Sequence, residues 1–103
     1  MSKTALVTGA TEGIGRATAF ALGRAGYKIG IVARTEAKIR RTLEELAAEG
    51  IEAAGAAADV AQPEQVKRAV EQVTSRLGEI GVLVNNAGIL IAKPFEELSL
   101  DDW

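Results

Sequence analysis

The sequence contains no cysteine and no histidine. Disulfides, thiol nucleophiles, imidazole acid/base chemistry and the usual zinc ligands are therefore excluded from these 103 residues. Aromatic residues are scarce at 4%, against 48% hydrophobic residues overall. The core must be built from Ala, Val, Ile and Leu, which suits the tight layers of an α/β fold better than a β-sandwich. No charge dominates. A net charge of −2 offers nothing to attract nucleic acid, and no polybasic run points to a membrane surface. No apolar run approaches membrane-spanning length, and Met1-Ser-Lys-Thr4 does not read as a signal peptide. The expectation is one small, soluble, cytoplasmic domain.

What is present begins with Thr8-Gly-Ala-Thr-Glu-Gly-Ile-Gly15. An apolar run, Thr4 to Thr8, precedes it and reads as a buried strand. A helix-period stretch follows, with Ile14, Ala17, Thr18, Ala21, Leu22 and Ala25 on one face. Strand, glycine-rich turn and helix in that order make a site for a dinucleotide pyrophosphate, although a plain tight turn would share the pattern. Gly9 permits the turn, Gly13 leaves room for phosphate, and Gly15 allows close packing of helix on strand. Free N–H groups and the positive end of the helix dipole would face the anion.

Strand and helix then alternate. Tyr27 to Ala33 reads as a second buried strand, and Gly26 as the stop of the first helix. Thr35 can cap a second helix, lined by Ile39, Leu43, Leu46 and Ala47 and ended by Gly50. Ile51 to Ala58 is a third strand. Pro63 suits the first turn of a third helix that buries Val66, Ala69, Val70, Val73 and Leu77 before Gly78. Ile80 to Val84 is a fourth strand, Gly88 to Leu98 an irregular stretch, and Ser99 the cap of a fourth helix whose first turn holds Asp101 and Asp102. Those two acids read as helix N-terminal acids rather than as an acid/base pair. The pattern implies a Rossmann-like, doubly wound parallel sheet, β-α-β-α-β-α-β, with right-handed crossovers.

Three further segments stand at strand ends. Arg34 closes the second strand, where such sites usually place an acid for the ribose hydroxyls. A guanidinium there can grip a 2′-phosphate, or be a solvated strand-end residue. The Glu12 carboxylate would repel that phosphate. Asp59 can accept from an adenine amino group while Val60 covers the ring, or Asp59 can cap the next helix. Asn85-Asn-Ala-Gly88 can face a ribose, or form an ordinary Asn/Gly turn.

Thr8-Gly-Ala-Thr-Glu-Gly-Ile-Gly15, Asp59-Val60 and Asn85-Asn-Ala-Gly88 together resemble the short-chain dehydrogenase/reductase family, and Pro94 to Trp103 resembles its approach to the fourth helix. The resemblance spans the chain. It implies an oxidoreductase that moves hydride between a nicotinamide and an alcohol or carbonyl carbon. It assigns Gly9, Thr11, Gly13, Ile14 and Gly15 to the pyrophosphate loop and Arg34 to the 2′-phosphate. Asp59 and Val60 fall to adenine, and Asn86, Ala87 and Gly88 to the ribose side. NADP is implied over NAD. The chain departs from the family at Gly81, often Asp, and at Glu12, often Lys or Arg in NADP users.

The family's catalytic Tyr-x-x-x-Lys is missing. The sole tyrosine, Tyr27, is followed four residues later by Ile31, and Ser2, Ser75 and Ser99 are wrongly placed for the catalytic serine. Residues 1–103 are thus expected to be the N-terminal, cofactor-binding part of such an enzyme, without catalytic residues. A stand-alone nucleotide-binding module and a non-functional fragment are the alternatives. Without a fifth strand, Ile80 to Val84 is expected to be an exposed edge that self-associates or binds a C-terminal half.

Overall fold

The computed structural model describes residues 3–85 and 88–91. The elements run β1 (Thr4–Thr8), α1 (Gly13–Arg24), β2 (Lys28–Ala33), α2 (Glu36–Ala48), β3 (Ala53–Ala57), α3 (Pro63–Leu77), β4 (Val82–Asn85) and β5 (Gly88–Ile91). The sheet order is β3-β2-β1-β4-β5. The first four strands pair in parallel, and β5 runs antiparallel to β4.

Alternation along the strands divides the core into two layers. Ala5, Val7, Ile29, Ile31 and Ala33 face α1 and α2, where Phe20, Ile39 and Leu46 pack. Leu6, Val32, Ala54 and Ala56 face α3, with Val66, Val70, Val73 and Leu77. A sheet buried on both faces explains why the strands read as continuous apolar runs rather than alternating ones. The third helix buries the five residues that its period marks. In β3 the glycine is a packing requirement: a Cβ at Gly55 would stand 2.6 Å from Ile39 Cγ2, so α2 lies this close only because no side chain is there.

Two helix faces depart from the periodic reading. Helix α1 buries Gly15, Ala19, Phe20 and Gly23, whereas Ile14, Ala17, Ala21 and Ala25 are exposed. Glycines set the contact line here. A Cβ at Gly23 would lie 2.7 Å from Ile51 Cδ1, so the helix packs along the residues that hydrophobic counting ignores. In α2, Thr42 is buried and Ala47 exposed; the Thr42 hydroxyl donates to the Lys38 carbonyl at 2.9 Å, which satisfies it inside the core. Helices α1 and α2 both end in paired backbone bonds of the Schellman type: Tyr27 N–H to Leu22 and Gly26 N–H to Gly23, then Ile51 N–H to Leu46 and Gly50 N–H to Ala47.

The expected exposed edge at the fourth strand is not found. Strand β4 lies between β1 and β5, with Val82 opposite Ala5 on one side and Ile91 on the other. The first four residues of the stretch read as irregular are Gly-Ile-Leu-Ile, an apolar run that pairs with β4 from Asn85 opposite Gly88. Strand β4 is therefore not an edge of the sheet. The fourth helix expected at Ser99 lies outside the described residues.

Gly15 and Gly13 provide a test of the turn. A Cβ at Gly15 would meet the Gly9 carbonyl oxygen at 2.2 Å and the Gly9 carbonyl carbon at 2.8 Å, backbone atoms that cannot step aside. At Gly13 the space is open, but φ is +58°. Gly15→Ala is expected to cost about 3 kcal/mol through overpacking, and Gly13→Ala about 1 kcal/mol through the left-handed backbone alone. Urea unfolding of both variants checks the ranking; equal losses would refute it.

Candidate functional site

The four parallel strands end together on one side of the sheet, and the chain reverses its winding between β2 and β4 on either side of β1. Open parallel sheets form a crevice at such a point. Here it is a cleft of about 680 Å³, lined at the ends of all four strands: Thr8 of β1 and Gly9 after it, Ala33 of β2 and Arg34 after it, Ala58 and Val60 after β3, and Val84 and Asn85 of β4. The Thr8 hydroxyl donates to the Val84 carbonyl at 3.4 Å and ties the β1 end to β4.

The floor is the turn from β1 into α1. The Gly9 N–H donates to the Val32 carbonyl at 2.9 Å, which holds the turn against β2. Glu12 is the N-cap residue of α1 but makes no capping hydrogen bond with its side chain. Among the described residues, nothing accepts from the N–H groups of Gly13, Ile14 and Gly15. A helix start with open donors, a positive dipole end and no acid in its first turn is built to receive an anion.

The Glu12 carboxylate is engaged elsewhere. It accepts a short hydrogen bond from the Lys38 ammonium of α2, and this bond, with the lysine charge, holds its carboxyl below the usual carboxylate range. Lys38 lines the cleft beside Arg34 and Thr35. Thr35 is the N-cap of α2, yet its side chain makes no cap bond; its carbonyl accepts from the Ile39 N–H at 3.1 Å. The Arg34 side chain is exposed and forms no ion pair among the described residues.

Ile14 and Val60 are the exposed large hydrophobic residues among those described, at 85% and 47%, and both line the cleft. Bare apolar side chains in a concave site are suited to the flat faces of a bound ring system.

Six of the sequence-expected residues therefore line one cleft: Gly9, Thr11, Ile14, Gly15, Arg34 and Val60. Gly13 lies in the same turn. Asp59 is partly occupied by its own loop: its Oδ1 accepts from the Ala61 N–H at 2.9 Å, and its N–H donates to Gln65 Oε1 at 2.9 Å. Gly88 opens β5 opposite Asn85. Asn86 and Ala87 lie outside the described residues. Sequence reasoning missed Lys38. Its signal was a cation in the first turn of a helix, where the dipole opposes it.

Residues 3–103 match the profile of the family described as short chain dehydrogenase. The chain belongs to the short-chain dehydrogenase family. The 3-oxoacyl-(acyl-carrier-protein) reductase of Staphylococcus epidermidis is 38% identical over 104 aligned residues, covering 100% of this chain and 43% of that protein. A variant of the actinorhodin polyketide ketoreductase, solved with NADPH, superposes with a TM-score of 0.79 at 42% identity, covering 99% of this chain and 39% of that one. A short chain dehydrogenase/reductase from Burkholderia phymatum, solved with NAD, superposes at 0.75 with 32% identity, covering 80% of this chain and 29% of that one. This short-chain dehydrogenase sequence thus spans less than half the length of the relatives it matches. Among its described residues no helix is long and apolar enough to cross a membrane, and no group of three or more Asp or Glu residues could hold a metal ion.

The Asp59 loop gives a second test. Asp59→Ala removes the acceptor for the Ala61 N–H and is expected to lower stability by about 1 kcal/mol, while Asp59→Asn retains most of it. Thermal unfolding of the two variants distinguishes them; equal destabilisation would show that the carboxylate charge matters instead.

Proposed function

We propose that residues 1–103 are the NADP(H)-binding part of a cytoplasmic oxidoreductase that interconverts an alcohol and a carbonyl compound. The observation that carries this reading is the cleft in which uncapped α1 N–H groups stand beside the Arg34 guanidinium, unpaired among the described residues. The open donors of Gly13, Ile14 and Gly15 would bind the pyrophosphate, with Gly9 and Thr11 shaping the turn. Val60 would cover one face of the adenine, and the remaining carboxylate oxygen of Asp59 would accept from its amino group. Asn86, Ala87 and Gly88 are assigned to the ribose side on the motif alone. The bound nicotinamide would supply hydride chemistry; the residues named here bind and orient.

The choice of NADP rests on Arg34. A bidentate guanidinium matches a phosphate, whereas a ribose hydroxyl pair would call for an acceptor at the same strand end. Glu12, the acid that lines the cleft among the described residues, has its charge matched by Lys38. The actinorhodin ketoreductase solved with NADPH supports the same cofactor, while the Burkholderia relative solved with NAD marks the competing outcome.

Calorimetric titration of the chain with NADPH and NADH tests the reading. NADPH is expected to bind at least about tenfold more tightly, because a charge-assisted pair contributes roughly 1.5–3 kcal/mol. Arg34→Ala should erase most of that margin, and equal affinities in the unsubstituted chain would refute the assignment. A second test concerns chemistry. No Tyr-x-x-x-Lys, histidine or cysteine occurs in the sequence, so the 103-residue chain with NADPH and a panel of ketones and aldehydes is expected to show no turnover. Activity that survives purification and vanishes in Tyr27→Phe would overturn it.

A further inference from the structure

The corner of the cleft at the β2 end holds two cations and one anion: Arg34, Lys38 and Glu12. The two cations differ in state. Arg34 is unpaired among the described residues, and Lys38 is bonded to Glu12. Lys38 is the third residue of α2, where the helix dipole disfavours a positive charge. An anion that reaches that turn is favoured by the dipole and by the lysine at once. The Glu12–Lys38 pair is open to water, with the side chains 67% and 49% exposed. A pair so solvated breaks at little cost. It also stands between two hollows, because both residues line the main cleft and a smaller one of about 390 Å³ between α1 and α2.

We propose that Lys38 is the second cation for the adenosine 2′-phosphate, masked by Glu12 until the phosphate displaces the carboxylate from its ammonium. This rests on the NADP reading above and deepens it. The loop itself carries an acid, and α2 supplies the cation through space. A phosphomonoester dianion outcompetes a single carboxylate for the ammonium, and Arg34 holds its other face. NAD has no such group and leaves the Glu12–Lys38 pair in place. Glu12 therefore sets how strongly the site discriminates: it withholds one cation and presents one negative charge to the phosphate.

The test is the ratio of NADPH to NADH affinity, measured by calorimetry on the full chain. The two dinucleotides share every contact except the 2′-phosphate, so a folding defect lowers both affinities and leaves the ratio alone. Lys38→Met is expected to lower the ratio about tenfold, the effect of losing one charge-assisted bond, and Lys38→Arg to keep most of it. Glu12→Gln is expected to raise it about fivefold by removing one nearby like charge. The double variant should fall between the two single ones, near the unsubstituted chain. An unchanged ratio in Lys38→Met, with Arg34→Ala still lowering it, would overturn the role of Lys38 and leave the NADP reading standing. An unsubstituted chain that binds neither dinucleotide would overturn both.

Discussion

The close approach of α1 to the end of β1 is the constraint on which the rest depends. Gly15 lies so near the Gly9 and Thr8 carbonyls that no side chain fits between them. This contact fixes where the first turn of α1 begins and aims its N–H groups into the cleft. A larger residue would push the helix start outward, and the open donors would no longer converge beside Arg34. The missing side-chain cap at Glu12 leaves the same donors open, where a capping carboxylate would have occupied them.

Small residues do comparable work elsewhere. Gly23 admits Ile51, Gly30 admits Val73, and Gly55 admits Ile39. In each case a branched side chain fills the volume that a Cβ would have taken; at Gly30 and Gly55 this brings a helix closer to the sheet, and at Gly23 it seats the residue that leads into β3. With so few aromatic residues, density comes from this interlocking of glycine and alanine with Val and Ile rather than from large rings. The result is a thin sheet buried on both faces, with its strand ends brought level at the cleft.

Charge is arranged outside that core. Arg16 pairs with Glu45 at 2.7 Å, and Arg24 grips Glu49 through two bonds at 2.8 and 2.9 Å while lying over the Phe20 ring. The hydrogen bond from Arg24 holds the Glu49 carboxyl below its ordinary range. These pairs join α1 to α2 along their outer faces. The Glu12–Lys38 pair continues the row to the mouth of the cleft, where a structural ion pair becomes a contact that a ligand can reach.

Local sequence determined the order of strands and helices, the faces of α3, the glycine turn and the clustering of Gly9, Thr11, Ile14, Gly15, Arg34 and Val60. The elements, the α3 face and the turn follow from short-range periodicity or from backbone freedom at one residue, and the clustering from where strand ends fall in a doubly wound sheet. The burial line of α1 was not legible, because it runs through glycines whose role shows only when Ile51 is seen against them. Strand β5 was also missed: Gly88–Ile91 has the composition of a strand, but in the sequence it reads as the start of an irregular stretch, and only pairing with β4 decides it. Lys38 lies 26 positions from Glu12, so no motif contains both. Their meeting required α1 and α2 to dock side by side on one face of the sheet. Tertiary packing alone could therefore decide whether the acid in the glycine turn repels a phosphate or is matched by a cation from the next helix.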